Sequence, residues 1–136
     1  MSAMHACAGE VVRLTFSPAY SPPETLAAAQ KRAMHVCARP SMDMWAVGVI
    51  AHELALGAPV FPAAKWPRSA VMHAALGLRP YPWEEKVGMV SNLPELRGLG
   101  SVVAACLSRD AAKRPSADEF LHALNRMYDE HSPRSC

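Results

Sequence analysis

At 136 residues, with 51% hydrophobic and 19% charged side chains, the chain has the length of one domain and a composition that excludes intrinsic disorder. A net charge of +2 is too small to mark a polyanion binder, and Arg13, Lys31, Arg32, Arg39, Lys65 and Arg68 are scattered, so no nucleic acid partner is expected. No membrane partner is expected either: the longest apolar run, Met42–Ala51, ends at His52 and Glu53, short of the ~18 residues that span a bilayer.

Residues 1–14 show little periodicity and read as a loose leader. Pro18, Pro22 and Pro23 exclude a helix over residues 15–24 and give an extended, turning loop. Thr25–Arg32 has the propensity for a short helix, and residues 33–40 form a surface loop closing at Pro40. Ser41 then N-caps the main helix, Asp43 suits the dipole of its first turn, and Gly57 offers the stop. Between them Trp45, Val47, Val49, Ile50, Leu54 and Leu56 leave His52 and Glu53 as the polar break. Such a helix belongs in the middle of a domain.

Pro59, Pro62 and Pro67 place a loop over residues 58–67, and a helix follows around Arg68–Leu76, with Gly77 near its end. Residues 79–92 read as loop, with Tyr81 and Trp83 as its anchors. Helix returns after Pro94, where Leu96, Leu99, Val103, Cys106 and Leu107 fall at helical spacing. Ser116 and Glu119 form a capping box for the last helix, whose apolar face is Phe120, Leu121, Leu124, Met127 and Tyr128, and Ser132-Pro133 ends it. Residues 131–136 are a tail. The whole is mainly α, helices joined by proline-rich loops, with no β-strand and no repeat.

Cys7, Cys37, Cys106 and Cys136 contain no Cys-x-x-Cys pair, and the histidines show no paired-ligand spacing, so no metal site is expected. Each histidine reads as a surface or half-buried residue. Met1–Gly9 lacks the basic start and apolar run of a secretory signal. Reduced thiols and a cytoplasmic or nuclear location, not secretion, are the expectation.

Three separated segments, in order, carry a resemblance. Ser17-Pro18-Ala19-Tyr20-Ser21-Pro22-Pro23-Glu24 resembles the end of the activation segment of protein kinases, with Pro22-Pro23-Glu24 where the family has Ala-Pro-Glu and Phe16 where it has a glycine. Asp43-Met44-Trp45-Ala46-Val47-Gly48 is similar to the Asp-x-Trp-x-x-Gly opening of the central helix of the large lobe. Arg109-Asp110-Ala111-Ala112-Lys113-Arg114-Pro115-Ser116 is similar to the penultimate loop. The resemblance implies a partial large lobe over residues 15–130, without the small β lobe and closer to the serine/threonine type.

It also implies roles. Ser17 and Tyr20 would lie at the substrate-binding loop; Pro23, Glu24, Asp43, Trp45, Gly48 and Arg114 would be structural, with Arg114 forming a buried ion pair with Glu24. Trp45 also has a plain reading as core, and Asp43 as a first-turn residue. ATP and magnesium serve the family, but these residues contain no Gly-x-Gly-x-x-Gly, no Val-Ala-x-Lys and no Asp-Phe-Gly. Ser108-Arg109-Asp110 is not the catalytic loop, because Pro115 stands where that loop needs Asn. No catalytic, cofactor or metal residue is therefore assigned.

Two functions fit. One is a C-terminal fragment of a kinase domain whose parent transfers the ATP γ-phosphate to protein serine or threonine, inactive by itself. The other is a non-catalytic interaction module. On either reading the face made by Trp45, Val49 and Ile50 is expected to lack cover and to be available to a protein partner.

Overall fold

The computed structural model describes residues 11–13, 17–86 and 88–131. The leader before Val11, Phe16 and the Ser132-Pro133 stop lie outside them.

Helix α1 spans Pro23–Gln30, α2 Pro40–Leu56, α3 Arg68–Ala75, α4 the single turn Pro82–Glu85, α5 Gly100–Cys106 and α6 Ala117–His131. Proline opens three of these at the first helical position, where its missing N–H costs nothing. For α2 this moves the cap two residues ahead of the expected Ser41: Arg39 is the N-cap and Pro40 the first helical residue. At the other end Gly57 adopts φ 67°, and its N–H closes on the Glu53 carbonyl. That left-handed stop is what glycine permits.

A two-stranded antiparallel ribbon, β1 (Val11–Arg13) with β2 (His35–Cys37), pairs Val12 with Val36. The expectation of no strand fails here because three-residue strands are too short to show alternation. The expected loop over 79–92 contains α4, too short for a helical period and started by Pro82. The expected helix after Pro94 is interrupted: a 3-10 turn over Pro94–Leu96 ends at Arg97 (φ 48°) and Gly98 (φ 152°), and α5 starts only at Gly100. The capping box is made, Glu119 N–H donating to Ser116 Oγ at 3.1 Å and Ser116 N–H to Glu119 Oε1 at 3.2 Å.

The core gathers around α2, which packs on α5, while α1 packs on α3. Leu26, Trp45, Val49, Val71, Ala74, Val103 and Leu107 are buried there, each of the larger ones worth about 1.5–3 kcal/mol. The approach of α2 to α5 is close enough that a Cβ on Gly48 would lie 2.7 Å from the Cys106 Cβ.

An aromatic cluster completes the core. Tyr81 and Trp83 stack at 4.8 Å between centroids, Trp45 lies 5.2 Å from Tyr81 and 5.5 Å from Trp83, and Phe61 lies 5.7 Å from Trp83. Such pairs add about 0.5–1.5 kcal/mol each beyond burial. This cluster corrects the expectation of an uncovered α2 face. Trp45 and Val49 are fully enclosed, and only Ile50 looks outward, joined one turn later by Leu54.

Two further expectations change. His52, expected at or near the surface, is completely buried. Cys37 is half of a disulfide whose partner lies outside the described residues, so reduced thiols do not hold at that position; Cys106 is a buried free thiol. Burial pushes the Cys106 pKa up to about 11, against the smaller pull of Arg114, so it is inert as a nucleophile. Among the described residues no helix is long and apolar enough to cross a membrane.

Candidate functional site

Arg114 sits where three parts of the chain converge. Its side chain is wholly buried, and all three nitrogens are used: Nη2 donates to Glu24 Oε1 at 2.6 Å, Nη1 to the Ser41 carbonyl at 3.0 Å, and Nε to the Ser108 carbonyl at 2.9 Å. The guanidinium carbon also lies 5.2 Å from the Trp45 ring centroid. One cation thereby ties the first turn of α1, the first turn of α2 and the turn after α5. The planar fork of arginine suits this, since its donors point in fixed, divergent directions.

The two ends of the ion pair differ. Arg114 is enclosed, whereas the Glu24 side chain remains 39% exposed. The pair is therefore half-buried rather than buried, and solvent screens the carboxylate. The two main-chain carbonyls carry the rest of the guanidinium's hydrogen bonding.

Ahead of Glu24, Pro18–Tyr20 forms a 3-10 turn. The Ser17 carbonyl accepts from Tyr20 N–H at 3.0 Å and from Ser21 Oγ at 2.8 Å. Tyr20 Oη donates to Glu53 at 2.9 Å and 3.2 Å to the two carboxylate oxygens, and Val60 N–H donates to Glu53 Oε1 at 3.3 Å. The hydrogen bond to Glu53 holds the Tyr20 phenol above its ordinary pKa. Ser17 itself is exposed on the turn. Thus the segment before α1 is pinned twice, through Tyr20 to α2 and through Glu24 to Arg114.

The remaining motif residues occupy separate positions. Pro23 is buried at the first turn of α1, Asp43 is exposed in the first turn of α2, and Gly48 makes the close contact with α5. Trp45 underlies Arg114 and belongs to the aromatic cluster.

A second clamp carried no expected role. Arg109 Nε and Nη2 reach Glu84 Oε1 and Oε2, each at 2.9 Å, while Nη1 donates to the Ala74 carbonyl at 2.6 Å and the guanidinium stands 4.6 Å over the Tyr81 ring. Glu84 also accepts from Tyr81 N–H at 2.8 Å. Burial alone would raise the Glu84 pKa, but Arg109 and the Tyr81 N–H outweigh it and hold it low. Arg109 lies inside a recognised motif, yet nothing in the sequence pairs it with Glu84.

Among the described residues no group of three or more His, Cys, Asp or Glu could hold a metal. Of the glycine pair with phosphate-loop flavour, Gly98 supplies a positive φ of 152° and Gly100 serves packing: a Cβ on Gly100 would lie 2.5 Å from the Ser91 carbonyl oxygen. The site offers anchoring chemistry, charge and hydrogen bonds that hold a loop.

A scan against protein-family models matches the protein kinase domain over residues 3–124. The chain belongs to the protein kinase family. A search of the curated proteins found no match.

Proposed function

We propose that these residues form the activation-segment anchor of a serine/threonine-type kinase domain, supporting transfer of the ATP γ-phosphate to protein. The observation that carries the reading is the three-way engagement of Arg114 with Glu24, Ser41 and Ser108. In a kinase domain that arrangement positions the loop against which a protein substrate lies, and here Ser17 and Tyr20 occupy that loop. The groups that orient phosphates, metal and the acceptor hydroxyl are absent from these 136 residues. The chain by itself is therefore catalytically silent. Incubating the purified chain with radiolabelled ATP, magnesium and a generic protein substrate should give no transfer above the blank. Transfer abolished by a point substitution within the chain would overturn this.

A second reading is a non-catalytic interaction module, and one observation favours it. Ile50 and Leu54, one turn apart on α2, are 48% and 79% exposed. A cytoplasmic or nuclear protein partner bound across that stripe would lose affinity in an Ile50→Glu, Leu54→Glu double variant. A ligand engaged through Ser17 and Tyr20 would not.

A further inference from the structure

Five side-chain polar atoms with no hydrogen-bond partner among the described residues lie buried in one part of the core: Trp45 Nε1, both ring nitrogens of His52, Tyr81 Oη and Trp83 Nε1. Their rings form one group. His52 meets Trp83 edge-on at 6.3 Å, Trp83 stacks on Tyr81, and Trp45 touches both. This group joins α2 to α4 and its preceding loop. A neutral imidazole must already leave a donor and an acceptor unmet here, and a protonated one would bring a second donor and a full charge into an apolar enclosure.

We propose that His52 is an acid-sensitive latch between α2 and the Tyr81–Trp83 segment: neutral imidazole keeps the aromatic core closed, and protonation opens it.

Among the described residues the surroundings provide no compensation. On α2, Glu53 is the one charge that favours the imidazolium, and it is committed to Tyr20 and the Val60 N–H. On α4, Glu84 is held by Arg109, and Glu85 is exposed. Helix α5, packed on α2, carries no charged side chain, its titratable group being the Cys106 thiol. Beyond it, Asp110 caps the Ala111–Lys113 turn, which ends on Lys113, and Arg114 is occupied by Glu24 and two carbonyls; Lys65, in the loop after α2, is exposed. Burial accordingly lowers the His52 pKa, against the weaker pull of Glu53.

A histidine whose pKa is lower folded than unfolded leaves stability intact above the unfolded value, about 6.5, and removes it as pH falls below. Protonation of one such group raises the unfolding equilibrium constant by up to about tenfold per pH unit in that range. Carboxylates titrate lower, near 4, so the window between about pH 5 and 6.5 isolates histidine.

The test is urea unfolding of the full chain followed by tryptophan fluorescence at pH 7.5, 6.5, 5.8 and 5.2. The wild type should lose stability progressively below about pH 6.5, with one proton taken up on unfolding. His52→Phe and His52→Gln should each flatten that dependence, while His73→Asn, at an exposed site, should keep it. Should both His52 variants fail to fold, the ring carbon shifts of labelled histidines in the wild type decide. His52 remaining neutral down to the pH at which the fold opens supports the latch. A His52 ring that titrates near 6.5 in the folded chain, or variants as acid-sensitive as wild type, would overturn it.

Discussion

At the scale of single residues, the asymmetry of the Arg114–Glu24 pair decides which substitution matters more. Arg114→Ala removes three charge-assisted hydrogen bonds and leaves the Ser41 and Ser108 carbonyls without that donor. It should cost about 3–5 kcal/mol, since hydrogen bonds to a charged group are lost, two carbonyls lose their donor and a cavity opens where the side chain stood. Glu24→Ala leaves Arg114 with both carbonyls and removes a carboxylate that water partly reaches. Its cost should be about 1–2 kcal/mol, nearer that of one hydrogen bond to a charged group after screening. Arg114→Lys should recover less than half of the loss, because an ammonium cannot direct donors along three fixed lines. Chemical denaturation of the three variants measures the order; equal losses for Glu24→Ala and Arg114→Ala would show that the carboxylate, not the carbonyls, dominates.

At the scale of elements, the crossing of α2 and α5 is set by Gly48. An added methyl would stand 2.7 Å from the Cys106 Cβ and 3.0 Å from Leu107 Cδ2. Alanine gains about 1 kcal/mol in helix propensity over glycine. Overpacking a rigid contact costs about 1–3 kcal/mol, and the Cys106 Cβ is bonded to the backbone at the end of α5, so no rotamer change moves it away. Gly48→Ala should therefore destabilise by up to about 2 kcal/mol, read as a lower urea midpoint with an unchanged slope. A neutral or stabilising result would mean that α5 slides freely on α2. The same helix shows how far local signals reach: its C-terminal stop at Gly57 follows from the residue, whereas the role of Glu53 depends on Tyr20 arriving from 33 positions away.

At the scale of the whole molecule, α2 buries one face, Met44, Trp45, Gly48, Val49 and His52, and leaves an apolar stripe outside. Ile50 and Leu54 stand exposed on it, and α6 adds Leu121 and Tyr128 to the chain's exposed apolar surface. Exposed apolar surface of this kind binds hydrophobic dye or a partner. The chain at pH 7.5 should enhance the fluorescence of such a dye, and the Ile50→Glu, Leu54→Glu double variant should reduce the enhancement by about half without loss of helical circular dichroism, since neither side chain supports the core. An unaltered signal would place the dye elsewhere.

What the sequence determined by itself lies close to the chain. Helix propensity, glycine at a left-handed stop and the Ser116–Glu119 capping box act within a few residues, so α1, α2, α3 and α6 are legible within a residue or two, although Pro23 and Pro40, expected in loops, turn out to open α1 and α2. The Glu24–Arg114 contact was legible only because motifs at both ends resemble one family; neither residue carries a local signal for the other. Tertiary structure alone decided that Glu24 stays half-exposed, that Arg109 grips Glu84, that β1 pairs with β2, and that His52 is sealed among Trp83 and its neighbours. Burial and partnership belong to whichever side chains the packed helices bring face to face, and propensity and capping, which act within a turn or two, hold no record of that meeting.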